Sequence, residues 1–138
     1  MLYLSEQDYS AILNHAQQGL PNEACGLIAG TVEADNKYIE KVYILSNTDE
    51  SNEHFSMDPK EQLSAVKDMR ANNFVLLGNF HSHPESPSRP SEEDKRLAFD
   101  SKVDYLILSL ENINTPVLKA FLIDGFKNVT EEQIEIVQ

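Results

Sequence analysis

The stretch Phe74-Val75-Leu76-Leu77-Gly78-Asn79-Phe80-His81-Ser82-His83-Pro84 runs from an apolar segment straight into a pair of histidines. Phe74 to Phe80 predicts a buried strand, because a short apolar run of this kind suits a sheet interior. Side chains alternate along a strand with period two, so His81 and His83 at its end point the same way. A single metal ion needs that arrangement of two imidazoles. Two polar residues in a loop after a strand are the plainer reading of the same pair, and only a third donor can separate the two readings.

Asp94 supplies it. Pro90-Ser91-Glu92-Glu93-Asp94 is a helix-start pattern, with Ser91 at the N-cap and Asp94 three residues on. The first turn of a helix is rigid and holds a carboxylate well, so capping and metal ligation are compatible roles for Asp94. The connection Pro84-Glu85-Ser86-Pro87-Ser88-Arg89-Pro90 carries three prolines, which lowers the entropy lost when the donors converge. Two imidazoles and a carboxylate fill three corners of a tetrahedral zinc site and leave the fourth for water. A site with an open corner does chemistry, whereas a closed one only holds structure.

Outward from this segment the chain reads as helices interleaved with strands, which predicts an α/β or α+β domain of two or three layers. Ser5-Glu6-Gln7-Asp8 resembles a capping box, and Tyr9, Ile12, Leu13, Ala16 and Leu20 follow at helical spacing with Gly19 near the stop. Cys25 to Thr31 and Tyr38 to Leu45 predict two strands. Asp58-Pro59 opens a second helix, whose expected apolar stripe is Leu63, Val66 and Met69. Ser91 to Phe99 predicts a short helix, Tyr105 to Leu110 and Val117 to Ile123 two strands, Asp124-Gly125 a turn, and Gln133 to Val137 an edge strand.

The length of 138 residues suits one domain, residues 1–138, and a hydrophobic content of 41% suffices for a packed interior. No apolar run is long enough to cross a bilayer, and the start of the chain lacks the basic and apolar regions of a secretory signal. The single cysteine, Cys25, forms no internal disulfide, so a reducing cytoplasm is the expected setting. A net charge of -12 repels phosphate backbones and anionic lipid, which argues against nucleic-acid and membrane partners. Arg89, Lys95 and Arg96 are the only basic residues near the histidines in sequence.

Glu23 lies just before the first long strand, at the mouth of the sheet. It reads either as an exposed loop carboxylate or as a base beside the metal. Cys25 reads as a buried structural thiol and not a nucleophile. His15 is expected on the solvent face of the first helix and His54 in an exposed acidic loop. Glu85 is near the histidines, but its spacing suits ligation less well than that of Asp94.

Taken together, Glu23-Ala24-Cys25-Gly26-Leu27-Ile28-Ala29-Gly30, Gly78-Asn79-Phe80-His81-Ser82-His83-Pro84 and Pro90-Ser91-Glu92-Glu93-Asp94 resemble the JAMM (MPN-plus) metalloprotease family. That pattern is a glutamate in an E-x-C-G-L-like run, then H-S/T-H-P, six intervening residues, and S-x-x-D. The resemblance extends from the first helix to the late strands. It implies an α/β fold with a mixed β-sheet flanked by helices, in a layered architecture resembling that of cytidine deaminases. It also implies that His81, His83 and Asp94 ligate zinc, that Glu23 is the general base, and that Ser91 steadies the oxyanion. The implied activity is that of a zinc-dependent peptidase or isopeptidase. It would cleave the amide bond after the C-terminal Gly-Gly tail of a ubiquitin-like or sulfur-carrier protein. The chain has no long insertion that would clamp a second, distal partner, and Phe55 to Met57 are expected to border the groove for the tail.

Two other functions compete. A catalytically silent scaffold of the same fold is disfavoured because every ligand is retained. A nucleic-acid role like that of RadC-type proteins, which share a similar pattern, is disfavoured by the negative charge.

Overall fold

The computed structural model describes residues 1–138 throughout. The chain opens with β1 (Leu2–Ser5) and α1 (Glu6–Gly19), followed by β2 (Cys25–Glu33), β3 (Asn36–Leu45) and α2 (Pro59–Ala71). Then come β4 (Val75–His83), α3 (Glu92–Arg96), β5 (Asp104–Ser109), β6 (Val117–Ile123), β7 (Val129–Glu132) and β8 (Ile134–Val137). The strands form one mixed eight-stranded sheet in the order β7-β6-β5-β4-β2-β3-β1-β8. β4 and β5 run parallel, as do β1 with β3 and β1 with β8, and the other pairs are antiparallel. The expected α/β class, a mixed sheet flanked by helices, is borne out.

Alternation along β2 shows how the layers divide. Ile28 joins a core with Leu2, Leu4, Phe80, Leu106 and Leu108, against which Ile12 and Ala16 of α1 pack. Its neighbours Leu27 and Ala29 point to the opposite face and meet Ala65 and Met69 of α2. The sheet is therefore a middle layer, with α1 on one side and α2 on the other. Each large apolar side chain sealed in this way contributes about 1.5–3 kcal/mol. Gly26 is required at its position: a Cβ there would lie 2.2 Å from the Phe80 ring and 2.2 Å from the Tyr43 carbonyl oxygen. The glycine lets the aromatic ring lie flat across β2.

The helix ends follow their signals. The Ser5 Oγ accepts from the Asp8 N–H at 3.0 Å, and the Asp58 carboxylate accepts from the Lys60 N–H at 2.8 Å, with Pro59 in the first turn of α2. The expected stripe of α2 holds at Met69 and is corrected at Leu63. Ala65 and Met69 face the sheet, whereas Leu63 is 56% exposed. The small Ala65 lets the helix approach the sheet closely, which rotates Leu63 outward. Two strands escaped the sequence reading. β1 has four residues, too few to display a period, and becomes a strand by pairing in parallel with β3 and β8. β7 reads as polar because it is an edge strand, and edges are commonly charged against further pairing. The short helix α3 ends at Arg96, earlier than expected.

Candidate metal centre

Strand β4 carries Phe80 into the α1-side core and, one residue on, turns His81 toward the α2 side. In register, His81 lies between Cys25 of β2 and Ile107 of β5. His83 projects to the same side, and both imidazoles are buried. The first turn of α3 brings Asp94 against them. The three donor atoms form a near-equilateral triangle: His81 Nε2 to His83 Nε2 is 3.1 Å, His81 Nε2 to Asp94 Oδ2 is 3.2 Å, and His83 Nε2 to Asp94 Oδ2 is 3.1 Å. Ligands 2.0–2.1 Å from a tetrahedral ion lie roughly 3.3–3.4 Å apart, so the triangle fits one small divalent cation on its axis. These three residues are the cluster in the chain suited to holding a metal ion.

Partners of the donors support that fit. His83 Nδ1 lies 2.9 Å from the Pro87 carbonyl oxygen and donates to it, so the neutral ring presents its Nε2 lone pair to the triangle, whereas the protonated ring donates from Nε2 to Asp94. The Phe55 ring stacks on the His81 imidazole with centroids 4.7 Å apart. Asp94 is held by a reciprocal cap: its Oδ2 accepts from the Ser91 N–H at 2.9 Å, and Ser91 Oγ accepts from the Asp94 N–H at 3.0 Å. The Ser91 hydroxyl proton is not used by this cap. Burial opposes ionisation of Asp94, but hydrogen bonds from both histidines outweigh it and hold the carboxyl well below the usual range. Burial likewise works against charging His83. Asp94, the Pro87 carbonyl and Glu23 together overcome it and leave the imidazole raised.

Glu23 is no exposed loop carboxylate: it is 4% exposed, and its Oε1 has no hydrogen-bond partner. Burial pushes its carboxyl up to about 8, only partly countered by the positive charge of His83. An unpaired carboxylate oxygen sealed inside a protein is costly unless something polar enters. Beside a triangle of metal donors, that missing partner fits a water on the ion.

Two residues that the sequence reading passed over hold Glu23 in place. Ser82, between the histidines, points to the opposite face of β4. Its Oγ accepts from the Ala24 N–H at 2.8 Å, and its own N–H donates to the Ala24 carbonyl at 2.9 Å. Asn47, after β3, donates from Nδ2 to the carbonyls of Glu23 and His54 at 3.0 and 3.1 Å, and accepts at Oδ1 from the N–H groups of Asp49 and Ser56. It fastens the segment bearing Phe55 to the segment bearing Glu23. The Asn47-Thr48-Asp49 run carries an Asx-turn signal, but its tertiary partners have none in the sequence.

The other candidates separate cleanly. The Cys25 thiol is buried and pushed up to about 12, first by desolvation and then by Glu61 and Glu23, so it is no nucleophile at neutral pH. His15 does not face solvent as expected: its Nε2 lies 3.1 Å from the Cys25 carbonyl oxygen and 3.0 Å from that of Leu45, tying α1 to the sheet. His54 is in an exposed loop beside Asp49, and Glu85 is exposed. Between Phe55, Met57 and the face of β4 and β5 opens a cavity of about 390 Å³, with His81 and Asp94 in its wall.

A mixed sheet that presents two histidines from a strand end to an aspartate in a helix cap, with a buried glutamate alongside, defines the JAB/MPN class of domain. The chain belongs to the prokaryotic homologs of the JAB domain, whose family model matches residues 5–123. It is 29% identical over 130 residues to the CysO-cysteine peptidase of Mycobacterium tuberculosis, spanning 94% of this chain and 86% of that one. It is 32% identical over 113 residues to the desampylase of Haloferax volcanii, spanning 78% and 80% of the two chains. The solution structure of a protein from Desulfitobacterium hafniense, 55% identical, superposes with a TM-score of 0.92 over all of this chain and 94% of that one. Membership expected from the motifs is thus borne out, and the two relatives are named as a peptidase and a desampylase.

Proposed function

We propose that this chain is a zinc-dependent peptidase or isopeptidase, one domain over residues 1–138. Its reaction would hydrolyse the amide bond after the C-terminal Gly-Gly tail of a ubiquitin-like or sulfur-carrier protein. The observation that carries this reading is the triangle of His81, His83 and Asp94 with the partnerless Glu23 carboxylate electrostatically coupled to His83 and Asp94. A silent scaffold has no use for a buried, unsatisfied acid. The relatives named for a carrier–cysteine adduct and for desampylation support a carrier protein as substrate. A single unpaired thiol fits the cytoplasm, and no helix is long and apolar enough to cross a membrane.

In this reading His81, His83 and Asp94 hold the zinc. Bound there, zinc lowers the pKa of water from ~15.7 to about 7 and polarises the scissile carbonyl. Glu23, held protonated by burial without the ion, would be ionised by the charge of a bound dication, and as carboxylate takes the proton of the attacking water and hands it to the leaving amine. The spare Ser91 hydroxyl proton donates to the oxygen on which negative charge develops. Asn47 and Ser82 keep Glu23 and the histidines in fixed relation, so little reorganisation is needed as the reaction proceeds.

The deciding experiment is mass spectrometry of a small carrier protein with a short extension after its Gly-Gly end, incubated with zinc-loaded protein. Release of the extension, abolished by chelator and restored by zinc, is expected. An intact substrate with each of several carriers would overturn the reading.

A further inference from the structure

The metal triangle is flanked by two cavities of opposite character. The larger is walled by His81 and Asp94 and is mainly apolar, with Phe55, Met57, Leu97 and Ile107 among its lining. The smaller, about 200 Å³, lies on the His83 side. It is lined by His83, Ser86, Pro87, Arg89, Pro90 and Ser91, none of them a large apolar residue. Arg89 is the only permanently charged residue in its lining. Lys37, Lys41, Lys95 and Arg96 are engaged by carboxylates; Arg89, like the other basic residues, is not, and it is the one of them that lines a cavity beside the metal triangle.

The backbone of Arg89 is held, while its side chain is exposed and unpaired. The backbone N–H donates to the Pro87 carbonyl at 2.9 Å, and Pro90 follows it. The preceding residue, Ser88, is buried and donates from Oγ to the Ile107 carbonyl at 2.7 Å. Ser109 Oγ donates to the Ser86 carbonyl at 2.6 Å. The loop is thus pinned to β5 on both sides of the cavity, and the guanidinium is carried on a backbone with little freedom.

We infer that this small polar cavity is the leaving-group site, and that Arg89 binds the free α-carboxylate of a single amino acid released from the carrier tail. The inference rests on the hydrolase reading above and adds to it a specificity-determining residue: Arg89 favours an adduct with a free α-carboxylate over a carrier–lysine isopeptide. An extended substrate lying across the triangle places its two halves on opposite sides of it. The larger apolar cavity, open toward the exposed Leu97 and Phe99, has room for the tail of a folded partner. The smaller one has room for about one residue. An amino acid joined through its α-amine presents its carboxylate two bonds from the scissile nitrogen, within the compass of a cation beside the oxyanion residue Ser91. A lysine side chain in an isopeptide presents no charge there. A guanidinium–carboxylate pair is planar and bidentate, which suits arginine better than lysine.

The test compares two substrates that differ only at the leaving residue: a carrier tail ending in an amino acid with a free α-carboxylate, and the same tail ending in the α-carboxamide. With zinc-loaded protein, kcat/KM should favour the carboxylate by about 10–100-fold, as a charged hydrogen-bonded pair warrants. In Arg89→Ala that ratio should fall to about 1, and Arg89→Lys should restore part of it. A wild-type ratio near 1, or a loss in Arg89→Ala that is equal for both substrates, would overturn the inference. A second measurement is independent of turnover. Free amino acids titrated into the metal-loaded protein should shift the Arg89 Nε–Hε resonance, and their amides should not. Should neither substrate be cleaved, the hydrolase reading fails while the titration still reports on the site. Should cleavage occur with no Arg89 shift and no preference, the inference alone fails.

Discussion

The two faces of one sheet do different work, and β4 shows it within two residues. Phe80 enters a face closed by α1, where Leu2, Leu4, Ile12, Ile28, Leu106 and Leu108 pack together and the buried polar groups, Ser82 and the Lys37–Asp104 pair, are tied to backbone or to each other. His81 enters the other face, where α2 lies over β2, β3 and β4 but leaves part of β4 and β5 uncovered. The closed face contributes apolar burial and sets the register. The partly open face holds a carboxyl with an unfilled hydrogen bond, a triangle of donors and two cavities. Both faces bury a carboxyl with an unpartnered oxygen, but Asp104 on the α1 side has the Lys37 ammonium against it, whereas Glu23 on the other has no partner at all.

The comparison breaks most decisively at the donors. His81→Ala or Asp94→Ala should reduce zinc from about one ion per chain to near none by elemental analysis, while far-ultraviolet circular dichroism stays unchanged. Full metal retention in both variants would refute the site. Acidification should release the ion as well, since imidazole must be neutral to ligate; a chelator competition series below about pH 6 reports this.

Phe80→Ala, on the other face of the same strand, should reverse the pattern. It should cost about 3–5 kcal/mol in denaturant unfolding of the metal-free protein. The remaining folded fraction should still bind zinc. A loss below ~1 kcal/mol would show that the α1-side core is less tightly packed than its burial indicates.

Glu23→Gln should bind zinc as the parent does, yet hydrolyse a carrier substrate at least ~10²-fold more slowly. A near-normal rate would place the base elsewhere. The same variant sharpens the contrast between faces through its pH dependence. In the metal-free fold the Glu23 carboxyl is raised from 4.5 to about 8, so the native state keeps a proton that the unfolded chain gives up. The stabilisation from this group is fully present below pH 4.5, is lost as the pH rises to about 8, and is flat beyond. In chelator, Glu23→Gln should therefore melt higher than the parent above pH 8, with the gap narrowing as the pH falls. A gap independent of pH would mean that Glu23 is not protonated in the metal-free fold.

Much of this was legible beforehand, for reasons that particular residues illustrate. The α1 cap at Ser5, the proline start of α2 and the strands β2 to β6 are written in local signals of capping and period. The donors stand out because imidazoles are rare in the chain and sit at a strand end with fixed spacing. Ser82 and Asn47 were not legible as supports, because their partners Ala24, Glu23 and Ser56 are set by sheet register and loop path. His15 was misjudged because a histidine on a helix has no local mark of the carbonyls it will meet.

The sequence alone determined the helix caps, the strand that ends in His81 and His83, and the cap that carries Asp94, while Glu23 stood out only through the family resemblance. The caps and the strand follow from residue type and short-range spacing, which physics reads without knowing the rest of the chain. Tertiary structure alone decided that Leu63 turns outward, that β1 and β7 become strands, that Glu23 is sealed away without a partner, and that Arg89 opens onto a polar cavity beside His83. Each of those depends on which distant segments come within a few ångströms, and burial and charge pairing are set there, not along the chain.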